Sequence, residues 1–356
     1  MKQLSHFHEK CRSYLKNLCV NIEERCVGSD GNRRATDFFN QTLVAYKWQT
    51  EMPEFEALDW NEEGASLTCE KETITLFVSP YSLGCEVESE LVPVSTVSEL
   101  EAAKAKGKIL FLHGEIAKEQ LMPKNFVFYN PEEHQRIIAG LEKSGAGAII
   151  CATNRDETVA GGVYPFPLIE DGDFDIPSVY TTEYEGKKLL PFAGKKVYLQ
   201  SKSIRIPGKG YNVIGKKGSG ESERVVITAH IDSKKGSPGA IDNATGVVVL
   251  LLLAEMLKEY RGPKQIELVA LNGEDYYAAS GQMNYIMSNQ GRFDQIALNI
   301  NIDGAGYREG RSAFTEFPKR CIKQFKKSWH QILKWWKGAG GLRVITAYLS
   351  RIVYLQ

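Results

Sequence analysis

The 356-residue chain has no net charge, because its 44 basic and 44 acidic residues cancel. That balance removes any general attraction to nucleic acid or to an anionic membrane surface. It also has no apolar stretch fit to cross a bilayer. The longest, Val247 to Ala254, falls far short of the roughly 20 residues required. Seven cysteines are present without a CxxC pair, a scattered and odd set that supports neither a disulfide framework nor a cysteine-rich zinc site. The opening Met1-Lys2-Gln3-Leu4-Ser5-His6 lacks the apolar core of a signal peptide, so a cytoplasmic protein with reduced thiols is expected. One absence is local. No Asp or Glu follows Glu316, while nine Lys and Arg do, so the residues up to Glu316 carry a net charge of about minus nine.

What remains is the composition of a folded protein, 43% hydrophobic and 25% charged, long enough for more than one domain. Leu4, Phe7, Cys11, Leu15 and Leu18 recur at helical spacing within 4–23, an amphipathic opening helix. A turn cluster, Val27 to Asn32, precedes a second helix over Arg33 to Tyr46, and Thr73 to Val78 reads as a β run. A distinct unit over 84–203 is expected to hold strands at Lys108–Leu112 and Ala146–Cys151 on either side of a helix, Glu132–Ser144. From Gly210 the pattern becomes β-α-β: a strand Val225–Ala229, an apolar helix Val247–Tyr260, and strands Ile266–Leu271 and Ile296–Ile302. Buried strands alternating with helices imply a sheet covered on both faces, with functional residues at strand ends.

Four polar clusters end those apolar elements. They are Ala229-His230-Ile231-Asp232, Gly239-Ala240-Ile241-Asp242-Asn243, Asn272-Gly273-Glu274-Asp275 and Asn301-Ile302-Asp303-Gly304. A histidine and several carboxylates converging at sheet edges suit one or two zinc ions. Singly, each has an ordinary explanation: a satisfied buried histidine, an Asp242 helix cap, a solvated Glu274-Asp275 turn, an Asp303 turn. In this order and spacing the joint reading prevails.

The strings "VVITAHIDS", "SPGAIDNATGV", "LNGEDYYAASGQMNY" and "NIDGAG", with "RCVGSDGNRRATDFF" upstream, resemble the M28 family of zinc peptidases over about residues 20–315. The helix leading into "EKSGAGAIICAT" and the later "DIPSVYTT" resemble a protease-associated domain. Together they imply an α/β fold: a zinc-exopeptidase mixed central sheet flanked by helices, discontinuous over 1–83 and 204–316, with an inserted smaller α/β unit. The resemblance makes His230 and Asp303 ligands of one zinc, Asp242 a bridge and Asp275 a ligand of a second zinc. Asp232 would orient His230, and Glu274 would act as general base on a metal-activated water. The family more often has Glu at the position of Asp275. A peptide substrate is implied, with aminopeptidase action as the leading reading. Two others stay open: a mono-zinc glutaminyl cyclase-like enzyme, and a non-catalytic binding protein on the same scaffold.

One expected ligand is missing. The family takes the last ligand of its second zinc from a histidine near the C-terminus, usually within "DHS" or "DHxxF". Here the only later histidine is His330, in "KKSWHQILKWW", with no acidic neighbour. Residues 317–356 also hold three of the five tryptophans and all nine of those bases. A basic amphipathic helix is one reading. A shifted frame is the other: read two bases on, Arg343 to Gln356 can encode GDHSIFVQNRIPA, and Trp335 to Gly338 permits VEG, which resemble the missing family segment. On that reading the frame changes near residues 315–318, and the second zinc keeps only Asp242 and Asp275 from the chain.

Overall fold

A computed structural model describes residues 2–70, 72–153, 166–220 and 223–306. His330 and the basic tail lie outside the described residues. Helices α1 (Lys2–Lys16) and α2 (Asp30–Ala45) open the chain, followed by strands β1 (Gln49–Glu51), β2 (Glu54–Cys69), β3 (Glu72–Ile74), β4 (Phe77–Val78) and β5 (Cys85–Val94). Next come α3 (Val97–Ala102), β6 (Ile109–Leu112), α4 (Glu132–Ser144), β7 (Ala148–Thr153), β8 (Ser178–Thr182), α5 (Glu183–Lys187) and β9 (Lys196–Tyr211). The last part holds β10 (Val213–Lys217), β11 (Arg224–His230), α6 (Thr245–Met256), β12 (Gln265–Leu271), α7 (Ser280–Ser288) and β13 (Ile296–Asn301).

The chain divides into two compact units. The first comprises Met1–Ala57, Lys209–Tyr276 and Ser280–Gln356. Its five-stranded sheet runs β1-β10-β12-β11-β13. The β12-β11-β13 core is parallel, and β10 and β1 pair antiparallel at the edge. The strand period of two decides the layers. Ile227, Ala229, Leu268 and Ala270 face a large core with Phe39 and Leu43 of α2 and Val247, Leu250 and Leu251 of α6. Val226 and Val269 point the other way, with Ile214 and Tyr285 of α7. Each fully buried Leu, Val or Phe contributes about 1.5–3 kcal/mol of burial, so the α1-α2-α6 face carries more of the hydrophobic stabilisation of this sheet than its other face. Helix α6 touches α1, α2 and β11, which explains its nearly uniform apolar sequence.

The second unit comprises Leu58–Gly208 and Tyr277–Ala279, a wider stretch than 84–203. Charged residues are scattered irregularly through β2 and β9, 16 residues each, which hides both strands in the pattern. Its eight-stranded sheet runs β3-β2-β9-β5-β6-β7-β8-β4. The run Thr73–Val78 is not one strand: β3 pairs with β2 and β4 with β8, at opposite ends of that order. Only Thr75 and Leu76 separate them, and the three steps from Ile74 to Phe77 reach at most about 11 Å, so the sheet curls until its ends come near each other. Alternate residues of β6 and β7 again serve two cores, Leu110, Leu112, Ile149 and Cys151 under α3 and α4, and Ile109, Phe111, Ala148 and Ile150 on the other face. Helix α4 ends where expected, at Ser144, because Gly145 takes φ 62° beyond it.

Candidate metal centre

Strand register places the four polar clusters together. His230 pairs with Leu271 in the parallel β11-β12 ladder, and Thr228 pairs with Asn301 across β11-β13. Parallel strands in register end at one edge, so His230, the Asn272–Asp275 turn and Asp303 emerge side by side. Asp242 arrives from the turn Ala240–Ala244 that enters α6. It does not cap the helix. Asn243 takes that place, its Oδ1 accepting from Gly246 N at 3.0 Å. Asn243 Nδ2 also donates to Ile302 O at 2.8 Å, which ties the Asp242 turn to the strand end carrying Asp303.

His230 stands at the centre and is 3% exposed. Its Nε2 lies 2.9 Å from Asp242 Oδ1, 3.6 Å from Asp303 Oδ1 and 4.0 Å from Glu274 Oε2. The ligand atoms of His230, Asp242 and Asp303 fall within 4.8 Å of one another, as do those of His230, Glu274 and Asp275. Yet neither ring nitrogen of His230 has a hydrogen-bond partner. Buried polar atoms are normally paired. An imidazole nitrogen 2.9 Å from a carboxylate without hydrogen-bond alignment is how ligands aimed at a common cation lie. The donor set, one nitrogen and several carboxylate oxygens, fits zinc.

The electrostatics agree. Burial disfavours a charged His230, but the carboxylates of Asp232, Asp242 and Asp303 outweigh it and raise its pKa well above the usual imidazole range. The His230 contact holds Asp242 below the usual carboxylate range. Asp275 is pushed up to about 7, first by burial and then by Asp232. Glu274 is raised by desolvation and, beyond that, by Asp232, Asp303 and Asp242. Without a cation these acids compete for protons, and a divalent ion relieves that competition.

Asp232 does something other than the expected single role. Its Oδ1 stands 3.6 Å from His230 Nδ1, beyond hydrogen-bond distance. Instead Oδ1 accepts the backbone N–H of Gly273 at 2.7 Å and of Glu274 at 3.2 Å, and Oδ2 that of Asp275 at 3.0 Å. Burial opposes its charge, but His230 and these bonds hold its pKa below the usual carboxylate value. Asp232 is thus the anchor of the Glu274-Asp275 turn, with His230 its near neighbour.

Behind that turn lies a buried amide network that composition does not reveal. Asn272 Nδ2 donates to Asn32 Oδ1 at 2.9 Å, and Asn32 Nδ2 returns a bond to Asn272 Oδ1 at 2.8 Å. Asn212 Oδ1 accepts from Asn272 N at 2.9 Å. The signal available was Asn32 in the "GSDGN" turn and Asn272 ahead of Gly273, both of which look like ordinary turn residues.

The model of peptidase family M28 matches residues 212–341, the stretch that contains every one of these ligands. Residues 212–341 are thus similar to peptidase family M28. Two curated relatives are similar over longer or overlapping stretches. One, a probable lipoprotein aminopeptidase (LpqL) of Mycobacterium tuberculosis, is 27% identical over 296 residues, covering 80% of this chain and 55% of the relative. Another, aminopeptidase YwaD of Bacillus subtilis, is 25% identical over 178 residues, covering 49% of this chain and 38% of the relative. The chain therefore spans about half the length of the first and less of the second. Among solved structures, the zinc aminopeptidase of Bacillus subtilis superposes with a TM-score of 0.69 at 20% identity, covering 91% of this chain and 77% of that one. The aminopeptidase from Aneurinibacillus sp. strain AM-1 gives 0.67 at 21% identity, covering 85% and 72%. At such identities these likenesses establish the fold alone: a mixed α/β sheet flanked by helices.

Proposed function

We propose that this chain is a zinc-dependent aminopeptidase whose metal site is built on His230. The observation that carries the reading is His230 itself, buried, with both ring nitrogens unpartnered and Nε2 facing the carboxylates of Asp242 and Asp303. His230, Asp242 and Asp303 would hold the first zinc, and Asp242 with Asp275 the second. Bound there, zinc lowers the pKa of a water and polarises a carbonyl. The chain's own residues supply the rest. Glu274 accepts the proton of the attacking water and delivers it to the leaving amine. Asp232 keeps Glu274 and Asp275 at fixed distance from His230 through the three backbone N–H groups it binds. The acidic surroundings favour a positively charged α-amine over a C-terminal carboxylate, which matches the aminopeptidase names of the relatives.

The test is metal analysis combined with an aminoacyl chromogenic substrate. Zinc should co-purify with the chain, and a chelator should remove both metal and hydrolysis, which zinc then restores. Hydrolysis unaffected by complete loss of metal would sink the reading.

The second zinc rests on fewer groups. Glu274 is needed as base and His230 serves the first ion, so Asp242 and Asp275 are left. In the shifted-frame reading the expected C-terminal histidine is lost from the chain as written, and occupancy of the second site and turnover are both low. The nucleotide sequence around codon 316 decides this point. It should permit GDHS in a second frame over codons 343–347, and codons that cannot produce that string refute the frame change.

A further inference from the structure

Arg25 is fully buried, at 0% exposure, and its guanidinium finds backbone carbonyls where a carboxylate would be the usual partner. Nε donates to Ile231 O at 2.8 Å, Nη1 to Leu18 O and Pro238 O at 2.7 Å each, and Nη2 to Gly239 O at 2.9 Å. The backbone O of Arg25 accepts from Ser233 N at 3.3 Å and from Asn32 Nδ2 at 3.0 Å. These contacts bracket Asp232: its preceding carbonyl is held by the side chain, and the following N–H by the main chain of the same residue. They also fix the Pro238-Gly239 turn immediately ahead of Asp242. Gly239 has φ 52°, and a Cβ there would meet Arg25 Nη2 at 2.7 Å, so the turn is shaped around the guanidinium.

A buried cation is costly unless opposite charge lies near. The acids of the metal centre supply it through space. We infer that Arg25 is a positioning residue for the metal centre, clamping the His230–Asp232 strand end to the turn that delivers Asp242 and so setting the spacing of the zinc ligands. This rests on the zinc reading above and extends it to a residue outside the ligand set.

Charge and geometry act in opposite directions on metal binding, which makes the idea decidable. As a mere cation, Arg25 repels zinc, and Arg25→Gln would tighten binding while Arg25→Lys left it unchanged. As a clamp, it cannot be replaced by either, because a single ammonium with three rotating donors cannot hold four carbonyls in fixed directions. Zinc affinity is to be measured by competition with a chromophoric chelator, on the full chain and below its melting temperature. Both variants should bind zinc at least about 10-fold more weakly, the lower end of what outer partners of metal ligands contribute. Leu43→Ala, a cavity where α2 packs on Gly215 of the sheet, should lower the melting temperature and leave zinc affinity unchanged.

Arg25→Lys binding zinc as the unmodified chain does overturns the inference. So does Leu43→Ala losing as much affinity as Arg25→Lys, since the effect is then general stability. Should the Arg25 variants not fold, the Arg25 Nε–H signal of the unmodified chain, labelled at arginine, decides. It should exchange slowly and shift on zinc addition, and a fast-exchanging or unmoved signal overturns the clamp. An unmodified chain that binds no zinc removes the functional reading and this inference together, an outcome distinct from all the others.

Discussion

A His230→Ala chain should leave dialysis without zinc, and zinc should no longer raise its melting temperature at any pH. His230 is the one nitrogen ligand in both carboxylate groupings of the described residues. Outer partners of metal ligands are worth about 10–100-fold in affinity, and a direct ligand is worth more. The pH dependence in the unmodified chain carries a definite sign. His230 has a folded pKa well above 6.5, so in the metal-free protein its stabilising contribution is complete below 6.5 and lost as pH climbs through the raised value. Asp275 rises from 3.8 to about 7. The folded state then binds the extra proton, and stability from this group also falls as pH rises from about 3.8 to about 7. Zinc takes the place of those protons. The melting-temperature gain from zinc should therefore be small at pH 5 and large at pH 8. Thermal denaturation with and without zinc checks it. A gain equal at both pH values, or one that survives in His230→Ala, would count against the centre as described.

The parts of the fold that could be read in advance are those where a local pattern and a tertiary role coincide. Strands β11 and β12 are short apolar runs because they are buried on both faces, and α4 has its stop signal in Gly145. The site was legible for a related reason. Parallel strands in register end together, so polar residues terminating successive apolar runs must lie near one another. Long-range partners were not legible. Strands β2 and β9 expose many positions and carry charges at them, so nothing local marks their 16-residue length. The split of Thr73–Val78 depends on which edges β3 and β4 pair with, which a β-rich string does not encode. Asn32, Asn212, Asn272 and Arg25 are buried by their hydrogen bonds and not by apolarity. In the sequence they are indistinguishable from surface polar residues. Asp232 shows the limit most clearly: its proximity to His230 followed from spacing alone, while its hold on the 273–275 turn required the two loops to be seen folded against each other.

Glu274→Gln should keep zinc and lose hydrolysis. Glu274 Oε2 lies 4.0 Å from His230 Nε2, and its side chain is 51% exposed, so it borders the metal ligands while remaining open to water and substrate. Its backbone N–H is bound by Asp232, which fixes where the carboxylate can reach. Desolvation and the neighbouring acids raise its pKa, toward the range in which a carboxylate accepts a proton readily and can still give it up to an amine. The amide of glutamine keeps the size and polarity and removes the basicity. A proton-transfer role is worth about 10²–10⁴-fold in rate, so hydrolysis of an aminoacyl chromogenic substrate should fall by at least about 100-fold, with zinc content within error of the unmodified chain. The acid limb of the pH–rate profile should disappear with it, because the group whose ionisation it reports is gone. If the zinc is lost along with the activity, Glu274 is a ligand rather than a base, and the two groupings around His230 exchange their roles: Asp275 and Glu274 then hold the metal, and the proton acceptor must be sought elsewhere among the carboxylates.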